Sequence, residues 1–166
     1  MINVNDFNSS INKMIEESLK MDTVIVKQND TVYKYVFEGG NERKNIRSIS
    51  KVIVSMCTGI AISKGYFPDG VEELIFKYFS DRIITNVENI KYLECLKIKH
   101  LITLTMGHNE RTMNSAQMAS LQGKDLIDYI LNFPICNEPG QSFLYTNPPA
   151  YLMSYIIQKV TGKKLL

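Results

Sequence analysis

Two hydroxyls and one amine open the most apolar stretch of this chain. Residues 45–65 read NIRSISKVIVSMCTGIAISKG, with no charge between Val52 and Ile62. If 46–62 forms one helix, Ser48 and Lys51 stand three residues apart and share a face, while Ser50 points elsewhere. A helix that is apolar all round beyond Lys51 is expected at the centre of a core. A lysine at the mouth of that core loses hydration, which favours its uncharged form. A neutral amine beside a hydroxyl can take its proton and leave an activated serine nucleophile. The plainer alternative is a serine that caps the helix and a lysine that snorkels to solvent.

Spacing alone does not decide between them, because about one chance S-x-x-K is expected in a chain of this composition. A second one is present, Ser10-Ile-Asn-Lys13. It falls on an amphipathic segment where the lysine stays in water, and it is read as chance. His100 and His108 invite a Ser-His-Asp reading, but the chain has no G-x-S-x-G elbow. Neither histidine is expected to be catalytic. Cys57, Cys95 and Cys136 are far apart, with no C-x-x-C pair. They read as reduced thiols in a cytoplasmic protein, and no metal or other cofactor is expected.

The elements that must position these residues follow from periodicity. Residues 5–20 place Phe7, Ile11, Met14, Ile15 and Leu19 on one face of a helix. TVIVK (23–27) and TVYKYVF (31–37) are β-branched and aromatic strands joined by the turn residues Asn29 and Asp30. Beyond Gly65, helices are predicted over 71–79 behind Asp69, over 96–108 up to Gly107, and over 123–133 before Pro134. A last helix follows Asn147-Pro148, which has the form of an N-cap with proline at the first helical position, and stops at Gly162. Two strands do not make an independent sheet. Either the hairpin packs on helices alone or further strands lie beyond residue 166, and the second is the expectation.

Composition narrows the function classes. The 166 residues carry a net charge of +2 with scattered lysines, which gives no basic patch for nucleic acid. No apolar run reaches the roughly 20 residues of a membrane helix, and MINVNDFNSS lacks the form of a secretory signal.

Three blocks then carry a resemblance. IRSISK, followed by an apolar helix and SKGYFPDGVEE, resembles the active-site helix of the serine β-lactamase and penicillin-binding-protein superfamily, most closely its class C β-lactamase-related branch of serine hydrolases. IKHLITLTMGH (98–108) is similar to that family's I-x-x-L-L-T-x-T-S-G segment. PGQSFLYTNPPAYLMSYIIQKVTGK (139–163) is similar to its P-G-x-x-x-x-Y-S-N, followed by a helix ending in T-G-K. Tyr145-Thr146-Asn147 is the only Y-x-N in the chain. Met106 stands where the family has a small residue, and Pro149-Ala150 replace its frequent Gly-Tyr pair.

The resemblance implies an α+β, β-lactamase/transpeptidase-like fold, present as its N-terminal part. The N-terminal helix and hairpin would be 1–45, the nucleophile helix 46–65 and the helical subdomain 66–166, with the C-terminal strands absent. It implies a serine hydrolase acting on an ester, amide or β-lactam, with a small-molecule or peptide substrate. Ser48 would be acylated, Lys51 would share or relay its proton, and Tyr145 would be the partner acid/base. Which of Lys51 and Tyr145 is the base stays open. Asn147 would bind substrate or hold Lys51. The family's K-T-G or H-x-G strand has no counterpart here, since Lys159-Val160-Thr161-Gly162 belongs to the preceding helix. The alternative is a non-catalytic fragment or binding module of the same fold. Such a fragment would need a partner chain or associate with itself through an exposed sheet edge.

Overall fold

The structure, a computed structural model, describes residues 2–165. The chain forms two compact units, Met1–Ile46 and Arg47–Leu166. In the first, α1 (Val4–Glu16) begins at a capping box. The Asn3 side chain accepts from the backbone N–H groups of Asn5 and Asp6, and the Asp6 carboxylate accepts from the Asn3 N–H. The helix buries Phe7 and Ile11, and Phe7 stacks on Tyr33 at 5.5 Å between ring centroids. It is shorter than the predicted 5–20 because Ser18 turns into the left-handed region, φ 54°.

Strands β1 (Thr23–Gln28) and β2 (Thr31–Val36) pair antiparallel, with Gln28 opposite Thr31 across the turn Asn29-Asp30. Asn29 sits at φ 54°, a conformation that asparagine tolerates better than most side chains, which explains its place in a two-residue turn. Among the described residues the sheet has these two strands. A further antiparallel bridge joins Leu74 to Lys97.

The second unit is helical. A 3-10 turn (Arg47–Ile49) runs into α2 (Ser50–Ser63). Short pieces follow: α3 (Ile90–Leu93), α4 (Ile98–Ile102), α5 (Ser115–Met118) and α6 (Leu126–Asn132). Helix α7 (Pro148–Thr161) ends where Gly162 adopts φ 66° and its N–H returns to Gln158 O. Leu152, Met153, Ile156 and Ile157 recur at helical spacing along α7 and are buried against α2, α4 and α6. With Leu101, Leu93, Ile130 and Phe79 they form one apolar cluster. Arg82 ties three parts of this unit together. It donates to Asp125 at 2.7 Å, to Asp128 at 3.0 Å and to the Tyr155 hydroxyl at 3.3 Å.

Three expectations are corrected. The segment 71–79 is not a helix. It forms two 3-10 turns, Gly70–Glu72 and Phe76–Phe79, around the Leu74 bridge. The cause is Glu73, whose fully buried carboxylate accepts from Asp69 N, the Tyr78 hydroxyl and Lys77, while its carbonyl accepts from Ile98 N. An extended bridge and a buried charge with its own donors outcompete helix propensity here. The segment 96–108 is helical only as far as Ile102, because Leu104 turns to φ 58° and Gly107 to φ 103°. A Cβ on Gly107 would lie 2.2 Å from Asn137 O, so only glycine fits that approach.

The third correction concerns α2, which is not enclosed by core. Val54, Cys57, Thr58 and Ala61 make one packed face. On the other side Ile49, Val52, Met56 and Ile60 form a stripe of residues that are each 52–64% exposed. An all-round apolar sequence permits burial on every side, but only one face is packed into the cluster built around α7. No helix among the described residues is long and apolar enough to cross a membrane.

Candidate active site

Ser48 lies in the 3-10 turn that precedes α2, one residue beyond Arg47, which turns the chain at φ 47°. Lys51 follows in the first turn of α2, so the three-residue spacing brings its amine back over Ser48. Lys51 Nζ is 3.3 Å from Ser48 Oγ. The same amine donates to Asn147 Oδ1 at 2.7 Å and lies 5.2 Å from the centre of the Tyr145 ring. Four residues, the outermost of them 99 positions apart in the sequence, therefore converge on one nitrogen.

Each of them is placed by a different device. Asn147 occupies the N-cap position of α7, yet its side chain makes no capping bond. It turns instead to Lys51 and donates from Nδ2 to Met113 O at 2.7 Å. Tyr145 is 43% exposed, and its ring, not its hydroxyl, faces the amine. Among the described residues no hydrogen bond joins the Tyr145 hydroxyl to Ser48 or Lys51. The backbone before Asn147 is held from the other side, where Leu144 N donates to Leu104 O at 3.1 Å.

The surroundings of the amine are neutral. Among the described residues no carboxylate lies within ion-pair range of Lys51. Its neighbours are an amide oxygen, a hydroxyl and an aromatic face. Ser48 is exposed and Lys51 half-buried, so the amine is not sealed in a core as its sequence neighbourhood predicts. A cavity of about 60 Å³, walled by Val54, Leu101, Leu104 and Ala150, borders the lysine stem. A larger one, about 200 Å³, sits between the C-terminal ends of α2 and α7, among Cys57, Tyr66 and Ile157. It is remote from the Ser48 turn, at the opposite end of α2.

The arrangement supports proton exchange between Ser48 and Lys51. A protonated Lys51 has three N–H donors and no acceptor, so it donates to both Ser48 Oγ and Asn147 Oδ1. A neutral amine keeps an N–H for Asn147 and offers its lone pair to the Ser48 hydroxyl. The Asn147 contact is thus compatible with both states, and the Ser48 contact reverses direction between them.

The other sequence candidates lie elsewhere. Ser10 Oγ donates to Asp6 O, and Lys13 pairs with Glu17 in an exposed helix. His100 accepts from Lys97 N at 3.2 Å, and its burial pushes its pKa down. His108 is buried against Phe133 with neither ring nitrogen hydrogen-bonded, and burial lowers its pKa to about 4. All three cysteines are free. No three His, Cys, Asp or Glu side chains among the described residues converge as a metal ion requires.

Residue type did not disclose two participants. Thr146, between Tyr145 and Asn147, is buried and bonds through its hydroxyl to the backbone of Thr112. Met113 contributes a carbonyl. A backbone acceptor leaves no mark in a sequence, and a threonine between two motif residues has no signature of its own.

Comparison with known proteins places the fold. Three solved structures share the fold across nearly all of this chain. A Bacillus anthracis protein provisionally described as a 6-aminohexanoate-dimer hydrolase superposes with a TM-score of 0.63 at 19% identity, over 92% of this chain and 43% of its own. An octameric penicillin-binding protein homologue from Pyrococcus abyssi gives 0.64 at 19%, over 99% and 40%. A penicillin-binding protein from Bacillus halodurans gives 0.60 at 17%, over 92% and 51%. The chain therefore spans about half the length, or less, of these solved relatives. No curated protein matches it. The family model described as Beta-lactamase matches residues 11–166, and the chain belongs to that family.

Proposed function

We propose that the chain carries the nucleophilic centre of a serine hydrolase that acts on an ester, amide or β-lactam through an acyl-enzyme at Ser48. The observation that carries this reading is the single amine of Lys51, shared between Ser48 Oγ at 3.3 Å and Asn147 Oδ1 at 2.7 Å. Family membership supports hydrolase chemistry at the coarser level. The 6-aminohexanoate dimer named for the Bacillus anthracis relative favours including amides in the substrate range.

In the proposed cycle the Ser48 hydroxyl proton passes to Lys51, or to Tyr145 acting with it, as Oγ bonds to the substrate carbonyl carbon. The carbonyl oxygen takes up the negative charge. On collapse, the bond to the leaving oxygen or nitrogen breaks, and the leaving group departs with that proton. Water then attacks the acyl ester with the same group as base, releasing the acid and restoring the Ser48 hydroxyl. The Ser48 N–H, at the start of a helical segment, would supply one oxyanion donor. The segments 46–65 and 66–166 provide all four proposed residues.

One observation favours a second reading, a non-catalytic unit of this fold completed by another polypeptide or by self-association. It is the exposed stripe Ile49, Val52, Met56 and Ile60, which flanks Ser48 and invites a cover.

The test is intact-mass spectrometry after incubation with a fluorophosphonate. One adduct on the wild type, absent from Ser48→Ala, is the expected result. A folded wild type that stays unlabelled would favour the second reading.

A further inference from the structure

The Asn147 side chain reaches Lys51 with its oxygen, not its nitrogen, and that choice is made by atoms outside the four proposed site residues. A primary amide can present either end with little change of shape. Here Nδ2 donates to Met113 O at 2.7 Å, so Oδ1 is left for the amine at 2.7 Å. Turned over, Asn147 would set its oxygen against the Met113 carbonyl and its N–H groups against those of Lys51. The position of one carbonyl therefore decides which way the amide faces.

That carbonyl is held in an unusual backbone. Met113 is buried and adopts φ 56°, a left-handed conformation that a side chain of its size rarely enters. Something must keep it there. The residue before it, Thr112, is gripped at both of its backbone polar groups by one side chain. Thr146 Oγ1 accepts from Thr112 N at 3.2 Å and donates to Thr112 O at 3.2 Å. Thr112 and Thr146 are 1% and 5% exposed, so neither bond has water to replace it. Thr112 Oγ1 is fixed in turn by the Tyr129 hydroxyl of α6 at 2.6 Å.

We infer that Thr146 is a positioning residue: its hydroxyl clasps the Thr112 backbone, holds the Met113 carbonyl against the Asn147 amide, and so fixes the oxygen of Asn147 on Lys51. The three residues of Tyr145-Thr146-Asn147 then divide the work by direction. The outer two touch the lysine, and the middle one anchors the segment to the 112–113 turn behind it. Valine has the shape of threonine but cannot make either bond, whereas serine keeps the hydroxyl. The consequence for chemistry rests on the Ser48 reading above; the clasp itself does not.

The experiment compares wild type, Thr146→Val, Thr146→Ser and Tyr129→Phe. The first readout is solvent exchange of the Asn147 side-chain amide protons by NMR, with the signals assigned by their loss in Asn147→Asp. In the wild type the pair exchanges slowly. Thr146→Val speeds its exchange about tenfold or more, as loss of a buried bonded partner predicts. Thr146→Ser stays near wild type, and Tyr129→Phe shows a smaller rise. Unchanged exchange in Thr146→Val, or in Tyr129→Phe should the valine variant fail to fold, overturns the clasp. So does a serine variant that behaves like valine.

The second readout is the rate of fluorophosphonate labelling. It should fall about tenfold in Thr146→Val and recover in Thr146→Ser, on the same energetic scale. A wild type that is never labelled counts against the Ser48 reading alone, because the amide exchange still decides the clasp. Labelling that is unaffected while exchange rises would overturn the link from Asn147 to Lys51.

Discussion

Asn147 stands at the N-cap of α7 but serves Lys51: its oxygen lies 2.7 Å from the lysine amine and makes no bond to the helix it begins. Proline at the first helical position lessens the need for a cap, because Pro148 has no N–H to satisfy. The side chain is free for another partner. Asn147→Ala should therefore slow labelling of Ser48 about tenfold or more, the scale of a charge-assisted hydrogen bond. Helix content should not change. Circular dichroism beside labelling kinetics checks both halves, and a fall in helicity would show that Asn147 caps α7 after all.

Lys51 should be needed as an amine and not merely as a charge. Lys51→Met keeps most of the stem and removes the proton acceptor, so labelling should fall about 10²- to 10⁴-fold, the range for positioned acid–base groups. Lys51→Arg should fare no better, since a guanidinium does not give up its proton near neutral pH. An arginine variant labelled at the wild-type rate would assign the proton to Tyr145.

Stability should decline on the acid side because of His108. Burial lowers its pKa in the folded chain to about 4 from an ordinary 6.5. Below pH 6.5 the unfolded chain binds a proton that the folded chain refuses, so the unfolded state gains. The loss accumulates as pH falls to about 4 and levels off below it, reaching on the order of 3 kcal/mol. His100, also lowered by burial, adds in the same direction. Urea midpoints between pH 7 and 4.5 should drop for the wild type and drop less for His108→Phe. Parallel curves would remove His108 as the cause.

Helix α7 joins the core to the candidate site, so its interior is the place to weaken the unit. Ile156 is fully buried within the apolar cluster that α2, α4 and α7 share. Ile156→Ala should destabilise by about 2–5 kcal/mol. A loss below 1 kcal/mol in denaturant titration would mean that the cluster collapses around the smaller side chain.

The sequence was most legible where one local rule operated alone. Periodicity located the hairpin, and Pro148 and Gly162 marked the two ends of α7. The pattern Ser48, Lys51, Tyr145, Asn147 was visible as spacing and resemblance, and all four residues meet around one amine. Legibility failed where tertiary partners decided. Glu73 reads as a helix residue and is instead pulled inside by three donors. Residues 52–60 read as enclosed, but the packing in this unit covers one side of α2. Met113 was beyond reach, since only its carbonyl matters and every residue except its conformation looks alike in that respect.

The neutral company around Lys51 has a practical corollary. Pairs of opposite charges weaken as mobile ions gather between them. Lys51 is steadied by dipoles, the Asn147 amide and the Tyr145 ring, instead of by an anion that sodium or potassium can rival. Its hold on Ser48 should therefore be nearly indifferent to the ionic medium, from dilute buffer to brine, while surface pairs such as Lys99 with Glu72 let go.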